Sequence, residues 1–205
     1  MQVHNFSQRF VYIDTTGSPQ PMKARGSVDK QYEDAPNNPC IVIRHFALSH
    51  SAFPFQPLRE ITQLQYPYWP DFGTTSQPFH LLRLIEQCDE VIHATSNTSF
   101  SSGEAEPEGQ RPTLVHCSAG CGRTGTFCAV DSVLDMLKRQ RSKRQNPSAD
   151  EDPADGWVYD DKLDLVTKAV SDFRTQRPSI VQNLSQFVLC YESVLEWVVS
   201  QMSEE

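Results

Sequence analysis

The segment LVHCSAGCGRTGTFCAV, which begins at residue 114, constrains the fold more than any other part of the chain. A short apolar run ends at His116 and Cys117, five residues follow, and Arg123 opens a helical pattern. Gly120 and Gly122 let the backbone approach a ligand closely and adopt conformations that other residues avoid. The segment therefore predicts a buried strand at 113–117, a tight loop, and a helix.

The residues of this loop are suited to holding an anion and attacking it. Amides of residues 118–123 can point inward beside the positive end of the helix, and Arg123 offers a planar fork to two oxygens. Such surroundings lower a thiol pKa from about 8.5 into the range ~3.5–7.5, which makes Cys117 a thiolate nucleophile at neutral pH. Thr124 can offer its hydroxyl to the sulfur. His116 can orient the loop, or can be a hydrogen-bonded core histidine.

Composition narrows the possible partners. The chain has 205 residues and a net charge of -8, so its overall charge favours neither nucleic acid nor anionic membranes. No stretch has the apolar length of a signal peptide or a membrane span. We expect a cytoplasmic protein. The basic run KRQRSKRQ (138–145) leaves a nuclear location open, but is more simply the basic end of a helix.

The six cysteines do not suggest a disulfide scaffold, because the chain is too long and too rich in core residues. No CxxC pair indicates a structural zinc site, and we expect no metal and no cofactor. Cys88, Cys128 and Cys190 lie among apolar residues of predicted helices and are interpreted as small core hydrophobes.

Periodicity predicts strands at 40–50 and 59–66, and possible strand character in RFVYID, within an otherwise poorly defined segment 1–39. Helices are predicted from about Ser76, which can cap the first one, and at 124–139, 160–176 and 183–200. Segments 95–112 and 138–156 are predicted as loops. For the last helix the predicted inward residues are Leu184, Phe187, Tyr191, Val194 and Val198. The fold class is α/β (α+β), with a central twisted mixed sheet flanked by helices.

His-Cys, five residues, Arg, then Ser or Thr is the signature of the cysteine-dependent protein tyrosine phosphatases, and VHCSAGCGRTGTF resembles that family's phosphate-binding loop almost throughout. The alternative is a glycine-rich turn with a buried cysteine. The resemblance implies that Cys117 attacks phosphorus and that Arg123 holds its oxygens. It also assigns phosphate binding to the loop residues Ser118, Ala119, Gly120, Cys121 and Gly122.

Two further segments resemble the tyrosine-specific, non-receptor-like branch of the family. YWPDFG (68–73) resembles the mobile acid loop, in which Asp71, flanked by Trp69 and Pro70, would protonate the leaving tyrosine oxygen. FRTQRPSIVQNLSQF resembles the glutamine loop, which implies that Gln182 positions water, that Gln186 assists, and that Arg174 and Arg177 brace the phosphate loop. The strand pair before the acid loop also matches, so the resemblance runs from about 40 to 200.

Residues 1–39 show no match to the family's substrate loop or its N-terminal strands. We therefore expect residues 40–200 to be the C-terminal portion of a catalytic domain, and the domain to be incomplete. The expected function is hydrolysis of phosphotyrosine in proteins through a cysteinyl-phosphate intermediate, with such proteins as partners. The alternative is a non-catalytic phosphotyrosine-binding pseudophosphatase or an inactive truncated form, and the sequence leaves the oligomeric state open.

Cys121 departs from the family pattern, in which an aliphatic residue is usual at this position. It is either a tolerated small substitute or a resolving thiol for oxidised Cys117.

Overall fold

The structure, a computed structural model, describes residues 2–13, 39–53, 58–96, 113–145, 157 and 160–203. Two compact units divide the chain: Met1–Tyr68 with Glu86–Arg111, and Trp69–Ile85 with Pro112–Glu205. The sheet belongs to the first unit and every predicted site residue to the second. Of the predicted loops 95–112 and 138–156, residues 97–112 and 146–156 lie outside the described residues.

Three antiparallel strands form the sheet of the first unit, in the order β1-β2-β3. They are β1 (Gln2–Tyr12), β2 (Cys40–Ser49) and β3 (Arg59–Gln65), and a bulge interrupts the register of β1 between Asn5 and Ser7. The strand predictions at 40–50 and 59–66 are confirmed. The described strands pair only antiparallel, so the expectation of a mixed sheet is wrong for this part of the chain.

Four helices follow: α1 (Pro78–Ser96), α2 (Gly122–Gln145), α3 (Leu165–Gln176) and α4 (Leu184–Ser203). Pro78 is the first helical residue of α1, where its missing N–H costs nothing. Ser76, the predicted cap, instead lies with Oγ 3.0 Å from Nδ1 of His80. Asp164 caps α3 by accepting a hydrogen bond from the Thr167 N–H at 3.0 Å. The mixture of strands and helices confirms the α/β class.

The core of the second unit lies where α2 contacts α3 and α4. Helix α2 buries Phe127, Val130, Val133 and Leu134, while Leu137, expected to face inward with them, is only half-buried. For α4 the predicted inward face is wrong, because Leu184 and Tyr191 are exposed while the opposite side is buried. The buried residues of α4 are Gln186, Leu189, Cys190 and Ser193.

Two elements differ from the sequence prediction: the strand at 113–117 and the end of helix α2. Residues 113–117 form no paired strand among the described residues, and Leu114 is 87% exposed, because an extended segment becomes a strand only where a neighbour pairs with it. Helix α2 continues to Gln145 rather than ending at 139. Its last turns are rich in Lys, Arg and Gln, which favour helix, and Arg139 pairs with Asp135 at 2.8 Å.

Within the described residues, no helix combines the length and apolar character needed to cross a membrane. The same residues contain no group of three or more His, Cys, Asp or Glu side chains that could hold a metal ion.

Candidate active site

Cys117 lies at the start of a tight loop that leads directly into α2. Gly120 adopts a φ of 66°, a conformation that side chains rarely accept, and its N–H donates to Cys117 Sγ at 3.2 Å. The glycine therefore turns the backbone so that an amide faces the sulfur.

The surroundings of Cys117 favour its thiolate form. Partial burial by itself raises the pKa of the thiol, but hydrogen bonds from the Thr124 hydroxyl and from backbone amides of Thr124, Cys121 and Gly120 outweigh burial. Together they lower the pKa from 9.0 to about 6. At neutral pH the sulfur is therefore mostly ionised and nucleophilic.

The Thr124 hydroxyl contributes to the lowered pKa of this sulfur. Its oxygen is buried and has no close hydrogen-bond partner of ordinary geometry among the described residues. Because the Thr124 hydroxyl lowers the pKa of Cys117, its proton is available to the sulfur when the sulfur is ionised. Ser118 and Ala119, earlier in the loop, are exposed at its rim.

Arg123 joins the loop to the predicted acid segment. Its Nη1 donates to the Trp69 carbonyl oxygen and its Nη2 to Asp71 Oδ1, each at 2.9 Å. Its Nε is buried and has no hydrogen-bond partner among the described residues. The Arg123 guanidinium thus binds Asp71, the predicted acid. Its Nε–H remains available to donate a hydrogen bond to an oxygen atom of a ligand.

The segment from Trp69 to Gly73 is a compact turn fastened at both ends. Trp69 is buried, and its indole N–H donates to the Gly73 carbonyl at 3.0 Å, while the Gly73 N–H donates to the Pro70 carbonyl at 3.2 Å. Phe72 adopts a φ of 57°, which is strained for a bulky side chain, and it is exposed. Asp71 therefore stands on a short, strained turn.

The start of α4 holds this turn in place. Gln186 is fully buried; its Nε2 donates to the Gly73 carbonyl at 3.3 Å, and its Oε1 accepts from the Gln182 N–H at 3.0 Å. Asn183 donates to the Phe72 carbonyl at 2.9 Å and caps the helix by accepting from the Gln186 N–H. Sequence analysis missed Asn183, although NLSQ has the Asn-x-x-Gln spacing of a capping box.

Gln182 and Gln186 also lie against the phosphate loop. A methyl group added at Gly122 would lie 2.6 Å from Gln182 Oε1 and 2.7 Å from Gln186 Nε2. Any larger side chain at residue 122 would displace these glutamine side chains, so Gly122 lets both predicted glutamines lie beside the residues that follow Cys117.

The two predicted bracing arginines have different partners. Arg177 contacts the phosphate loop, with Nε donating to Cys121 Sγ at 3.0 Å and Nη2 to the Ala119 carbonyl at 2.8 Å. Arg174 instead donates to the carbonyls of Ile180 and Val181, at 3.2 and 2.9 Å. Val181 has a φ of 54°, which is strained for a β-branched residue, so Arg174 stabilises the turn that precedes Gln182.

His116 and Cys121 complete the predicted set. His116 is exposed, with Nδ1 3.2 Å from the Cys117 carbonyl oxygen, so the interpretation as a core histidine is wrong. Cys121 is buried, and its thiol donates to the Ala119 carbonyl at 3.4 Å. Both Cys117 and Cys121 are free thiols, and a resolving role for Cys121 stays a prediction.

A family model described as protein-tyrosine phosphatase matches residues 10–196. Tyrosine-protein phosphatase 3 of Saccharomyces cerevisiae is 37% identical over 143 residues, which are 66% of this chain and 14% of the yeast protein. Human tyrosine-protein phosphatase non-receptor type 18 is 33% identical over 144 residues, 70% of this chain and 24% of the human protein.

Two solved structures are also similar. A crystal structure of the Trypanosoma brucei protein tyrosine phosphatase TbPTP1 aligns with a TM-score of 0.50 at 26% identity, over 87% of this chain and 48% of that one. A structure described as the structural basis of the PTPN18 fingerprint on distinct HER2 tyrosine phosphorylation sites aligns with a TM-score of 0.57 at 24% identity, over 96% of this chain and 48% of that one. The second likeness shows a shared fold.

The chain spans about half the length of these solved chains and a smaller share of the two relatives. Because the family model covers residues 10–196 of 205, the chain belongs to the protein-tyrosine phosphatase family.

Proposed function

We propose that this chain hydrolyses phosphotyrosine in proteins through a cysteinyl-phosphate intermediate. The observation that carries the proposal is the combination of a thiol with its pKa lowered to about 6 and an adjacent arginine bonded to an aspartate. A nucleophile, a cation for phosphate oxygens and an acid for the leaving group thus belong to one unit.

In the first step the Cys117 thiolate attacks phosphorus in line with the tyrosine oxygen. A P–S bond forms while the P–O bond to tyrosine breaks, and Asp71 gives its proton to the departing oxygen. Phenolate is a poor leaving group, so this proton lowers the barrier. Loop amides from Ser118 to Arg123 and the Arg123 guanidinium stabilise the charge on the remaining oxygens.

In the second step water releases the phosphate. Gln182 positions the water with help from Gln186, and Asp71, now a carboxylate, accepts its proton. A P–O bond to the water oxygen forms and the P–S bond breaks, which returns Cys117 as a thiolate. Thr124 donates to the sulfur and makes it a better leaving group.

Arg123 explains how the acid becomes available. Without substrate its Nη2 is bonded to Asp71, and its Nε is buried without a partner. A phosphoryl dianion offers a matched pair of oxygens to the guanidinium fork and displaces Asp71 from Nη2. Once released from Arg123, the carboxylate takes up a proton from water, and the resulting carboxyl group can donate it to the leaving oxygen.

With such proteins as substrates the chain acts in phosphotyrosine signalling, and we propose the cytoplasm as its location. Hydrolysis of a small aryl phosphate by the purified chain tests the proposal, with Cys117→Ser as the matched control. We expect turnover that the substitution abolishes. Phosphopeptide binding by folded protein without Cys117-dependent turnover would instead establish the non-catalytic binding function.

A further inference from the structure

Helix α4 has two apolar faces, and one of them is exposed. The buried face contains Gln186, Leu189, Cys190 and Ser193. The opposite face carries six exposed apolar side chains separated by three or four residues, which places them in one row. This outer stripe consists of Leu184, Val188, Tyr191, Leu195, Val199 and Met202.

The outer stripe is large for a surface exposed to water. From Leu184 to Met202 it spans 19 residues of the helix, or about 27 Å. Leu184 is 75% exposed, Leu195 64% and Met202 73%. At ~100 Å² for each side chain the stripe has on the order of 500–600 Å², the upper range for the largest patch of a typical monomer. A patch at this upper limit, arranged in one regular row, is often functional.

Charge along α4 is confined to one flank of the stripe. Glu192 and Glu196 are the charged residues of the helix, and at 100° per residue both fall on the same side of the row. On the other flank the corresponding positions are Phe187, Val194 and Gln201. A partner helix bound to the outer stripe therefore meets apolar side chains along the centre of the stripe and carboxylates along one of its edges.

We propose that the outer stripe is the docking surface for an amphipathic helix of another protein. Its apolar residues recur at i, i+3, i+4 and i+7, and Lys or Arg line the edge that faces Glu192 and Glu196. Charge complementarity favours this occupant over a second copy of the chain. An antiparallel twofold pairing of α4 brings both glutamate flanks together, and each copy carries a net charge of -8.

Two synthetic peptide helices of about 20 residues test the proposal. They share one heptad pattern of Leu and Ile, and differ only in carrying Lys or Glu at the flanking positions. Fluorescence anisotropy of labelled peptide with the full chain should show at least tenfold tighter binding of the Lys peptide at low salt. The difference should shrink near 1 M salt, where charge is screened.

Three variants locate the surface. Leu195→Asp should weaken binding of the Lys peptide at least tenfold. Leu58→Asp, a leucine of similar exposure in the first unit, should leave it unchanged. Glu192→Lys with Glu196→Lys keeps the apolar row and should reverse the preference between the two peptides, which guards against misfolding of Leu195→Asp.

Three results would overturn the proposal: equal binding of the two peptides, full binding by the Leu195→Asp chain, or no effect of charge reversal. Light scattering that shows a dimer dissociated by Leu195→Asp would assign the stripe to a second copy instead.

Discussion

Replacing Thr124 with Val tests how the loop ionises its cysteine. Valine has the shape of threonine without the hydroxyl, so the change removes one donor to the Cys117 sulfur. The surroundings lower the pKa from 9.0 to about 6, a difference of about 3 pKa units, through four hydrogen bonds that also overcome the effect of burial. One of the four is worth about 1 unit, so the Val variant should have a Cys117 pKa near ~7.

The rate of alkylation by iodoacetamide between about pH 4 and 9 reports the thiolate fraction directly. In the native chain we expect the rate to reach half of its plateau near pH 6, because the thiol is protonated below that value. Thr126→Val is the matched control, since its hydroxyl donates to the Gly122 carbonyl at 3.0 Å on the same helix. An unshifted midpoint in Thr124→Val, or equal shifts in both variants, would refute the assignment of this hydroxyl to the sulfur.

Arg123→Lys should lower kcat/KM for an aryl phosphate by ~10²–10³, because an ammonium cannot reproduce the two-pronged contact; retention of more than a tenth of the activity would contradict this. Asp71→Asn should lower kcat by ~10²–10⁴ for a leaving group as poor as phenolate and far less for a strongly acidic phenol, which steady-state kinetics on both substrates measures. Gly125→Ala puts a methyl group against Ile180 Cγ1 and 2.7 Å from the Val181 N, so thermal unfolding should show a loss of about 1–3 kcal/mol, or ~2–4 °C per kcal/mol. An unchanged Tm would show that α2 shifts to accommodate it.

Local patterns predicted the elements whose apolar spacing is regular. The alternation in CIVIRHFALS and the predicted start of α1 near Ser76 gave boundaries within one or two residues of the observed ones. The roles of the loop residues could also be predicted from the sequence, because Cys117, the glycines and Arg123 are close in sequence and their roles depend on local geometry.

Features that depend on contacts between residues far apart in the sequence could not be predicted in the same way. Helix α4 carries apolar residues on two sides, so periodicity could not tell which side is buried, and the buried side also contains the polar Gln186. Its amide is satisfied by backbone groups of Gly73 and Gln182, which are brought together only by folding. For the same reason Arg174 was assigned to the phosphate loop although it holds the turn at Ile180.

The covalent intermediate is the central claim, and trapping it is the most direct measurement. Rapid acid quench during turnover of an aryl phosphate, followed by peptide mass spectrometry, should find a phosphoryl group on the peptide that contains Cys117. Gln182→Ala should increase its amount, because hydrolysis of the intermediate slows. A turning-over enzyme with no adduct at Cys117, or with phosphoryl transfer that persists in Cys117→Ala, would contradict the account.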